Sequence, residues 1–407
     1  MNIRKSGPLW AAVVLAACGQ SDEHPVTSVD LAAQARHIAA TSIIVDTHID
    51  VPYRIEANPE DVSKATESGD FDYPRAVAGG LNAAFMSIYT KAEFEAEGKS
   101  RQAAETLIDT VEDVASGSPE KFAIARSPAD IRQQFESGLI SMPMGMENGS
   151  PIEGNLANVK YFHDRGIRYI TLTHSLSNHI SDSSYDENKP WQGLSEFGAD
   201  VVKEMNRLGI MVDVSHVSDD AFWQVIDISD APVIASHSSA RHFTPGFERN
   251  MSDDMILALA KNGGVIQVNF GSSFITDVAQ TYGMARWDER TVFLAEHPEL
   301  DESEATSGFD QRYAAKHGPF PFATLENVLD HFDHITALVG VDHVGIGSDF
   351  DGVDDTLPGG LKDVSAYPNL IEGLLRRGYS EADVRKILGE NLLRVWEAVE
   401  AHAAAAG

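Results

Sequence analysis

Eight short stretches rich in β-branched and aliphatic residues recur along the chain, and helix-like stretches separate most of them. The strand-like stretches are 43–50, 81–88, 140–147, 169–174, 211–216, 233–237, 265–270 and 344–349. The helix-like stretches include 92–115, 194–208, 218–226, 252–262 and 324–338, several with a Ser or Thr cap at their start. This alternation predicts an α/β fold, the (β/α)8 TIM barrel, whose active-site face is formed by the C-terminal ends of the strands.

Six of the eight predicted strands end in side chains that can bind a metal. They are His48, Asp50, Glu147, His174, His216, His237 and Asp349. His48 and Asp50 are two positions apart, so a strand places both on the same side. One such pair alone would be read as a buried histidine beside a loop aspartate. Because a buried imidazole or carboxylate without a partner is costly, six such strand ends favour a shared metal site over core filling.

The types of these side chains narrow the choice of ion. Imidazoles and carboxylates without a thiolate fit a hydrolytic zinc site and would also admit manganese or cobalt. The candidates outnumber what one zinc needs, whereas two ions about 3.5–4 Å apart and bridged by a carboxylate would use them economically. Glu147 is the natural bridge, since its carboxylate has two oxygens to share.

The composition excludes some classes of partner. The chain has 407 residues, 43% of them hydrophobic, which suffices for a large core. Lys and Arg number 31 against 62 Asp and Glu, a net charge of −31, and such a surface repels a phosphate backbone. The charge therefore predicts no nucleic-acid partner.

The N-terminus resembles a bacterial lipoprotein signal. Arg4 and Lys5 precede a short apolar run, and small residues lead to Cys18, the only cysteine of the chain. These features predict a signal peptide over 1–17 and lipidation of Cys18. The alternative is an ordinary signal peptide with a chance cysteine.

The same region predicts where the protein resides. Residues 18–40 are expected to be the lipidated cysteine and a polar tether, and 41–407 a single catalytic barrel. Lipid chains at Cys18 would hold the protein on a membrane of the bacterial cell envelope. By resemblance to enterobacterial sorting rules, Gly19 favours the outer membrane, with the protein facing the periplasm.

Short motifs in a fixed order carry most of the candidate residues. They are Asp46-Thr47-His48-Ile49-Asp50, Gly145-Met146-Glu147-Asn148-Gly149, Leu172-Thr173-His174-Ser175, Asp213-Val214-Ser215-His216-Val217-Ser218, Ser236-His237-Ser238-Ser239-Ala240, Arg249-Asn250, Gly347-Ser348-Asp349-Phe350-Asp351-Gly352 and Gly389-Glu390-Asn391-Leu392-Leu393-Arg394-Val395. Together they resemble the membrane (renal-type) dipeptidases of the metal-dependent amidohydrolase superfamily. The resemblance covers about 42–396.

The resemblance implies a binuclear zinc site at the strand ends. It places His48 and Asp50 on one Zn²⁺, His216 and His237 on the other, and Glu147 between them.

It also implies three further roles. His174 polarises the scissile carbonyl and so contacts the substrate, Arg249 binds the substrate carboxylate, and Asp349 handles the proton. Hydroxide formed at the metals would attack the peptide carbonyl, since zinc lowers the pKa of bound water to about 7.

These expectations define one main function and two alternatives. The main one is a zinc dipeptidase for small dipeptides, L-L and also L-D. The alternatives are a related barrel amidohydrolase that acts on N-acyl amino acids or lactams, and a binding lipoprotein of the cell envelope without activity. A homodimer is left open.

Several residues are set apart from the site. The stretch 278–319 is predicted to be an insertion after the seventh strand that could cover the substrate pocket. His331 and His334 are expected on the surface of a helix, and His242 in a loop near the site. Asp213 is expected either to orient a ligand or to cap a turn.

Overall fold

Eight parallel strands follow one another in chain order around a curled sheet. This computed structural model describes residues 1, 2, 7, 30–297 and 302–406. The eight strands are β1 (Ile44–Ile49), β2 (Leu81–Tyr89), β3 (Met144–Glu147), β4 (Ile167–Thr171), β5 (Met211–Asp213), β6 (Ile234–Ala235), β7 (Val265–Val268) and β8 (Val344–Ile346). Just beyond β8, a parallel bridge joins Phe350 to Ile49, and the N–H of Asp50 donates to the carbonyl of Phe350 at 2.9 Å. The sheet thus curls until its edges meet, and the predicted TIM-barrel fold is confirmed.

The third strand differs from its prediction. The stretch 140–147 is divided into a short strand, Ile140–Ser141, and β3, because Pro143 between them has no N–H to donate. The short strand pairs with β2 and with Phe122–Ala123, a further strand that the sequence did not predict. A strand of two residues is too short to show a hydrophobic period.

Helices connect the strands. The α-helices of the described residues are Leu31–Thr41, Val51–Ala57, Tyr73–Gly79, Glu93–Glu97, Ser100–Gly117, Pro128–Glu136, Ala157–Arg165, Glu196–Leu208, Asp219–Ile228, Asp253–Lys261, Ser272–Ile275, Asp277–Glu296, Glu302–His317, Leu325–Val339, Tyr367–Arg376, Glu381–Arg385 and Asn391–Ala406. Ser218, Ser252 and Thr324 cap the helices that follow them, as predicted. The predicted single helix over 92–115 is wrong, because Gly98 at φ 65° ends a first helix there.

An apolar cluster fills the interior of the barrel. Phe85, Tyr169 and Met211 contribute from three strands, and the C-terminal helix Asn391–Ala406 adds Trp396. The ring of Trp396 is fully buried and lies 5.4 Å from that of Phe85. The barrel is therefore a packed core rather than a pore, and its polar groups collect at the carboxyl rim.

The predicted insertion is a pair of helices, Asp277–Glu296 and Glu302–His317. Two hydrogen bonds of 2.8 and 2.7 Å join the guanidinium of Arg286 to the carboxylate of Asp310 and so link one helix to the other. The rings of Tyr282 and Tyr313 add an edge-to-face contact at 5.2 Å.

The N-terminal boundary of the catalytic domain lies earlier than predicted. The helix Leu31–Thr41 buries Ala35, Ile38 and Ala39, and a compact unit runs from Leu31 to Gly407. Placing 31–40 in the tether is therefore wrong, because those apolar side chains belong to the core. The predicted lipidation site, Cys18, and most of the predicted signal peptide lie outside the described residues. Among the described residues, no helix combines the length and apolar character needed to cross a membrane.

Candidate metal centre

The carboxyl rim of the barrel brings the predicted metal-binding side chains together. Their ligand atoms form three overlapping groups, and within each group the ligand atoms lie within 4.8 Å of one another. These groups are His48, Glu147 and His237; Glu147, His174 and His216; and His48, Asp50 and Asp349. Side chains from strands far apart in sequence thus converge at one mouth.

Glu147, the last residue of β3, lies at the centre of the cluster. Its Oε1 is 3.1 Å from Nε2 of His216 and 3.2 Å from Nε2 of His237, whereas its Oε2 is 3.4 Å from Nε2 of His48. Two ligands of one tetrahedral zinc lie about 3.3 Å apart, given bond lengths of about 2.0–2.1 Å. Each oxygen of Glu147 therefore faces a different set of ligands, as the predicted bridging role requires.

Tyr169, a residue of β4, fixes the tautomer of His48. Its hydroxyl donates to the carbonyl of Thr47 at 3.1 Å and therefore accepts from Nδ1 of His48 at 2.8 Å. With the proton on Nδ1, Nε2 of His48 carries a lone pair toward the carboxylates. Gly145 makes room for the phenol, since a Cβ on it would lie 1.9 Å from Cζ of Tyr169.

Asp213 orients His237 through Ser236. The hydroxyl of Ser236 donates to Oδ2 of Asp213 at 2.6 Å, so it accepts from Nδ1 of His237 at 2.7 Å. Of the two roles that the sequence left open for Asp213, the structure supports the orienting one. His237 then presents the lone pair of Nε2 to the centre of the cluster.

His216 and His237 face each other with unprotonated nitrogens. Their Nε2 atoms are 2.8 Å apart, and Arg249 donates to Nε2 of His216 at 3.0 Å, so that nitrogen is also an acceptor. The single lone pair of Nε2 of His216 accepts from Arg249 here, so an ion bound to this nitrogen would replace that hydrogen bond. The geometry fits a metal ion held by both rings.

Unpartnered buried atoms at the rim give the same indication. Nε2 of His48 and Oδ1 of Asp50 are buried, and neither has a hydrogen-bond partner among the described residues. Leaving such atoms without a partner is costly, and a divalent cation would bind both. Three imidazoles and two carboxylates, with Glu147 shared, fit two ions of the zinc type.

The electrostatics of the cluster suit metal ligands. Burial, with the positive charge of Arg249 close by, holds the pKa of His216 well below its ordinary value, and burial does the same for His237. Both rings are thus neutral, the form that binds metals. Burial alone would raise the pKa of Glu147, but positive charge on His48 and His174 holds it well below the usual range, so the carboxylate is ionised. Burial alone would lower the pKa of His48, but Tyr169, Glu147 and Asp50 raise it well above its ordinary value, and a metal ion bound to Nε2 would take the place of that proton.

Asp349 follows β8 and borders the same cluster. Its Oδ2 accepts a hydrogen bond from Nδ2 of Asn269 at 2.7 Å. Burial, together with the negative charges of Asp50 and Glu147, raises the pKa of Asp349 to about 7. A carboxyl group with this pKa can take up and release a proton near neutral pH. Asp349 and His216 both have left-handed backbones, with φ of 64° and 67°, a strained conformation that is often found at functional sites.

Arg249 is buried beside the cluster. Its guanidinium donates to Oγ of Ser238 at 2.7 Å and to the carbonyl of His237 at 2.8 Å, and it lies 5.2 Å from the ring of Phe274. Its Nε is buried without a hydrogen-bond partner among the described residues. A positive, planar donor held in this way is suited to a carboxylate ligand.

His174 stands nearer the solvent than the other histidines of the cluster. Its side chain is 20% exposed, and its Nε2 lies 3.5 Å from Oε1 of Glu147. Its ring packs against Tyr89 at 4.8 Å and against His216 at 4.2 Å. The position at the mouth agrees with the predicted contact between His174 and a substrate.

Asp46 ties the first strand to the last. Its Oδ1 accepts the N–H groups of His48 and Ser348 at 3.1 and 3.0 Å, and its Oδ2 accepts the hydroxyl of Tyr367 at 2.6 Å. One buried carboxylate thereby fixes the carboxyl ends of β1 and β8 against each other.

The sequence did not single out Tyr169, Ser236 or Asn269. A useful signal would have been any polar residue at a strand end, since Asn269 directly follows β7. The surface position predicted for His331 is wrong: the ring is fully buried, accepts the N–H of Ala240 at 3.1 Å and donates to the carbonyl of Ile275 at 3.0 Å. His334 does lie nearer the surface, where it contacts Asp253.

Known proteins are similar to this chain in sequence and in fold. The sequence profile of the membrane dipeptidase family (peptidase family M19) matches residues 32–406. The solved structure of the probable dipeptidase PvdM from Pseudomonas aeruginosa is 27% identical, with a TM-score of 0.79, over 92% of this chain and 99% of that one. A metallopeptidase from Rhodobacter sphaeroides, liganded with a phosphinate mimic of the dipeptide L-Ala-D-Ala, is 26% identical, with a TM-score of 0.72, over 88% of this chain and 99% of that one.

Proposed function

Because the chain belongs to the membrane dipeptidase family, peptidase family M19, and is thus a metal-dependent dipeptidase, we propose that it uses two Zn²⁺ ions to hydrolyse dipeptides with a free C-terminal carboxylate. The observation that carries this proposal is Glu147 between two sets of histidines, with Arg249 bound to the same cluster. His48, Asp50 and Glu147 would hold one ion, and His216, His237 and Glu147 the other.

The proposed reaction is the attack of water on the peptide carbonyl. When bound, the ions supply Lewis acidity that polarises the carbonyl and makes water nucleophilic near neutral pH. Asp349, which borders the cluster, accepts the proton of the attacking water and returns it to the leaving amine. His174 donates to the developing oxyanion from the mouth of the site.

Arg249 sets the class of substrate. Its guanidinium binds the terminal carboxylate and fixes the scissile bond over the cluster. Acceptance of a D residue at the C-terminal position is proposed by analogy with the Rhodobacter sphaeroides metallopeptidase, whose bound ligand mimics L-Ala-D-Ala. The same clamp would accept an N-acyl amino acid, the alternative substrate class.

One panel of substrates tests the proposal. The protein is stripped with a chelator, its metal content is measured, and it is reloaded with Zn²⁺ before assay on L-L dipeptides, L-D dipeptides and N-acetyl amino acids. We expect dipeptide hydrolysis to vanish with the metal and to return on reloading. Hydrolysis that persists in verified metal-free protein, or that is confined to the N-acetyl amino acids, would contradict the proposal.

We further propose that the protein is a lipid-anchored envelope enzyme. The sequence around Cys18, with a charged start and a short apolar run before it, supports this location. In a bacterial host, the native chain should fractionate with outer membranes and Cys18→Ser should not. Equal membrane association of both would contradict the anchor.

A further inference from the structure

We propose that His242, Asp253 and His334 form a second, peripheral binding site for one divalent transition-metal ion such as Zn²⁺. Each of the three offers one ligand atom, and these atoms lie within 4.8 Å of one another. None of the three belongs to the strand-end cluster, and the proposed dipeptidase activity does not use them.

The three side chains come from separate segments that are firmly placed. His242 lies in the short 3-10 helix Arg241–Phe243, Asp253 begins the helix Asp253–Lys261, and His334 lies within the helix Leu325–Val339. Packing holds the 3-10 helix that carries His242 in place, because the ring of Phe243 lies 4.4 Å from the buried ring of His331.

Existing contacts already bring the ligand atoms together. Nε2 of His334 is 2.8 Å from Oδ1 of Asp253, and the rings of His242 and His334 stack with centroids 4.3 Å apart. Ligands of a tetrahedral zinc lie about 3.3 Å apart, and because stacked rings direct their lone pairs side by side, the ring of His242 must turn toward the ion. His242 is exposed, and its ring can turn to make that movement.

The donor set and the surrounding charge both favour a cation. Two imidazoles and a carboxylate are ligands that Zn²⁺, Cu²⁺ and Ni²⁺ share, and the solvent side leaves a position for water. Arg241, in the same turn, binds Asp219 through two hydrogen bonds of 2.7 and 2.6 Å and so does not neutralise Asp253. The net charge of −31 also attracts cations.

An ion at this site would join the segment that carries Arg249 to the two helices that carry Asp253 and His334. His242 and Arg249 lie on the segment between Ala240 and Met251, whose ends are themselves bridged. A bound ion would tie this segment to two helices behind it and so stabilise the folded chain.

Metal counting tests the site without reference to activity. The intact protein, His242→Ala and Asp253→Asn are dialysed to equilibrium against a series of buffered free Zn²⁺ concentrations, and bound zinc is measured by mass spectrometry. We expect each variant to bind one equivalent fewer than the wild type at saturation while retaining the tighter equivalents. The midpoint of thermal unfolding should also rise with added Zn²⁺ in the wild type beyond any rise in the variants.

His37→Ala is the matched control, since it removes an exposed imidazole from the helix Leu31–Thr41. It should bind as much zinc as the wild type. Equal zinc in the wild type and both variants would overturn the proposal. So would the loss of one equivalent from His37→Ala as well, because that would indicate non-specific binding to surface histidines.

Discussion

The hydroxyl of Tyr169 lies 2.8 Å from Nδ1 of His48 and holds the proton of that ring on the side away from the cluster. His48 can present a lone pair to a metal only in this tautomer. Tyr169→Phe should therefore weaken zinc binding by about 10–100-fold, as is typical when a partner of a metal ligand is lost. Competition with a chromophoric chelator would measure the change. Tyr161→Phe, which also removes a phenolic hydroxyl, is the control; equal losses in both variants would refute the role of Tyr169.

Asp349→Asn should separate metal binding from turnover. The amide keeps the shape of the side chain but cannot accept a proton, so we expect kcat to fall by about 10²–10⁴-fold. The zinc content should stay that of the wild type, since none of the proposed ligands changes. Steady-state kinetics with metal analysis of the same sample would check this, and a tenfold loss or less would assign the proton to another group.

Arg249→Met should discriminate among substrates by their C-terminus. A charge-assisted hydrogen bond is worth about 1.5–3 kcal/mol, so kcat/KM for a dipeptide should fall about 10–100-fold. A dipeptide amide has no carboxylate to lose, and its slower hydrolysis should change little. If both substrates lose activity equally, Arg249 supports the shape of the site rather than binding the substrate carboxylate.

His331 should make the fold sensitive to acid. Burial, with smaller contributions from His334 and His242, lowers its pKa from 6.5 to about 4. Between these values the unfolded chain binds a proton that the folded chain does not, so the free energy of unfolding decreases as pH falls through this window. The decrease is complete near pH 4 and amounts to about 3 kcal/mol.

Urea unfolding from pH 7 to pH 4.5, at fixed zinc, would test this. His331→Gln should be less stable at pH 7, since it loses the fit of a buried ring, but should show a shallower dependence on pH. His343→Gln is the control. The ring of His343 also contacts a backbone carbonyl, that of Gly264, but His343 itself is only partly buried. A wild-type slope in His331→Gln would exclude His331 as the source.

Gly145→Ala should damage the site from within the core. The added Cβ would lie 1.9 Å from Cζ of Tyr169, so the phenol must move and its bond to His48 is lost. We expect a loss of about 1–3 kcal/mol in the free energy of unfolding, the usual effect of overpacking, together with weaker zinc binding. Gly138→Ala adds a methyl group where nothing lies within 4 Å of it, although its φ of 74° adds backbone strain. Equal zinc affinity in both variants would show that Tyr169 can move without consequence.

The sequence predicted the barrel and the placement of the candidate ligands because both depend on local patterns. A run of β-branched residues that ends in His or Asp marks a strand and its carboxyl end at once. The hydrogen-bond partners of those ligands are distant in sequence. His48 and Tyr169 are 121 positions apart, and no local pattern near either residue predicts their contact. His331 was misplaced for a similar reason, because its partners, Ala240 and Ile275, lie on other elements.

The carboxylate of Asp46 joins β1 to the backbone of Ser348, 302 positions later in the chain. During synthesis, the ribosome must therefore release almost the whole protein before the opening strand finds its final neighbour. A nascent chain that halts before residue 348 leaves this acid without its distant donors and the mouth of the barrel unfinished. We therefore expect the metal centre to be completed only after synthesis, once the mouth of the barrel has closed.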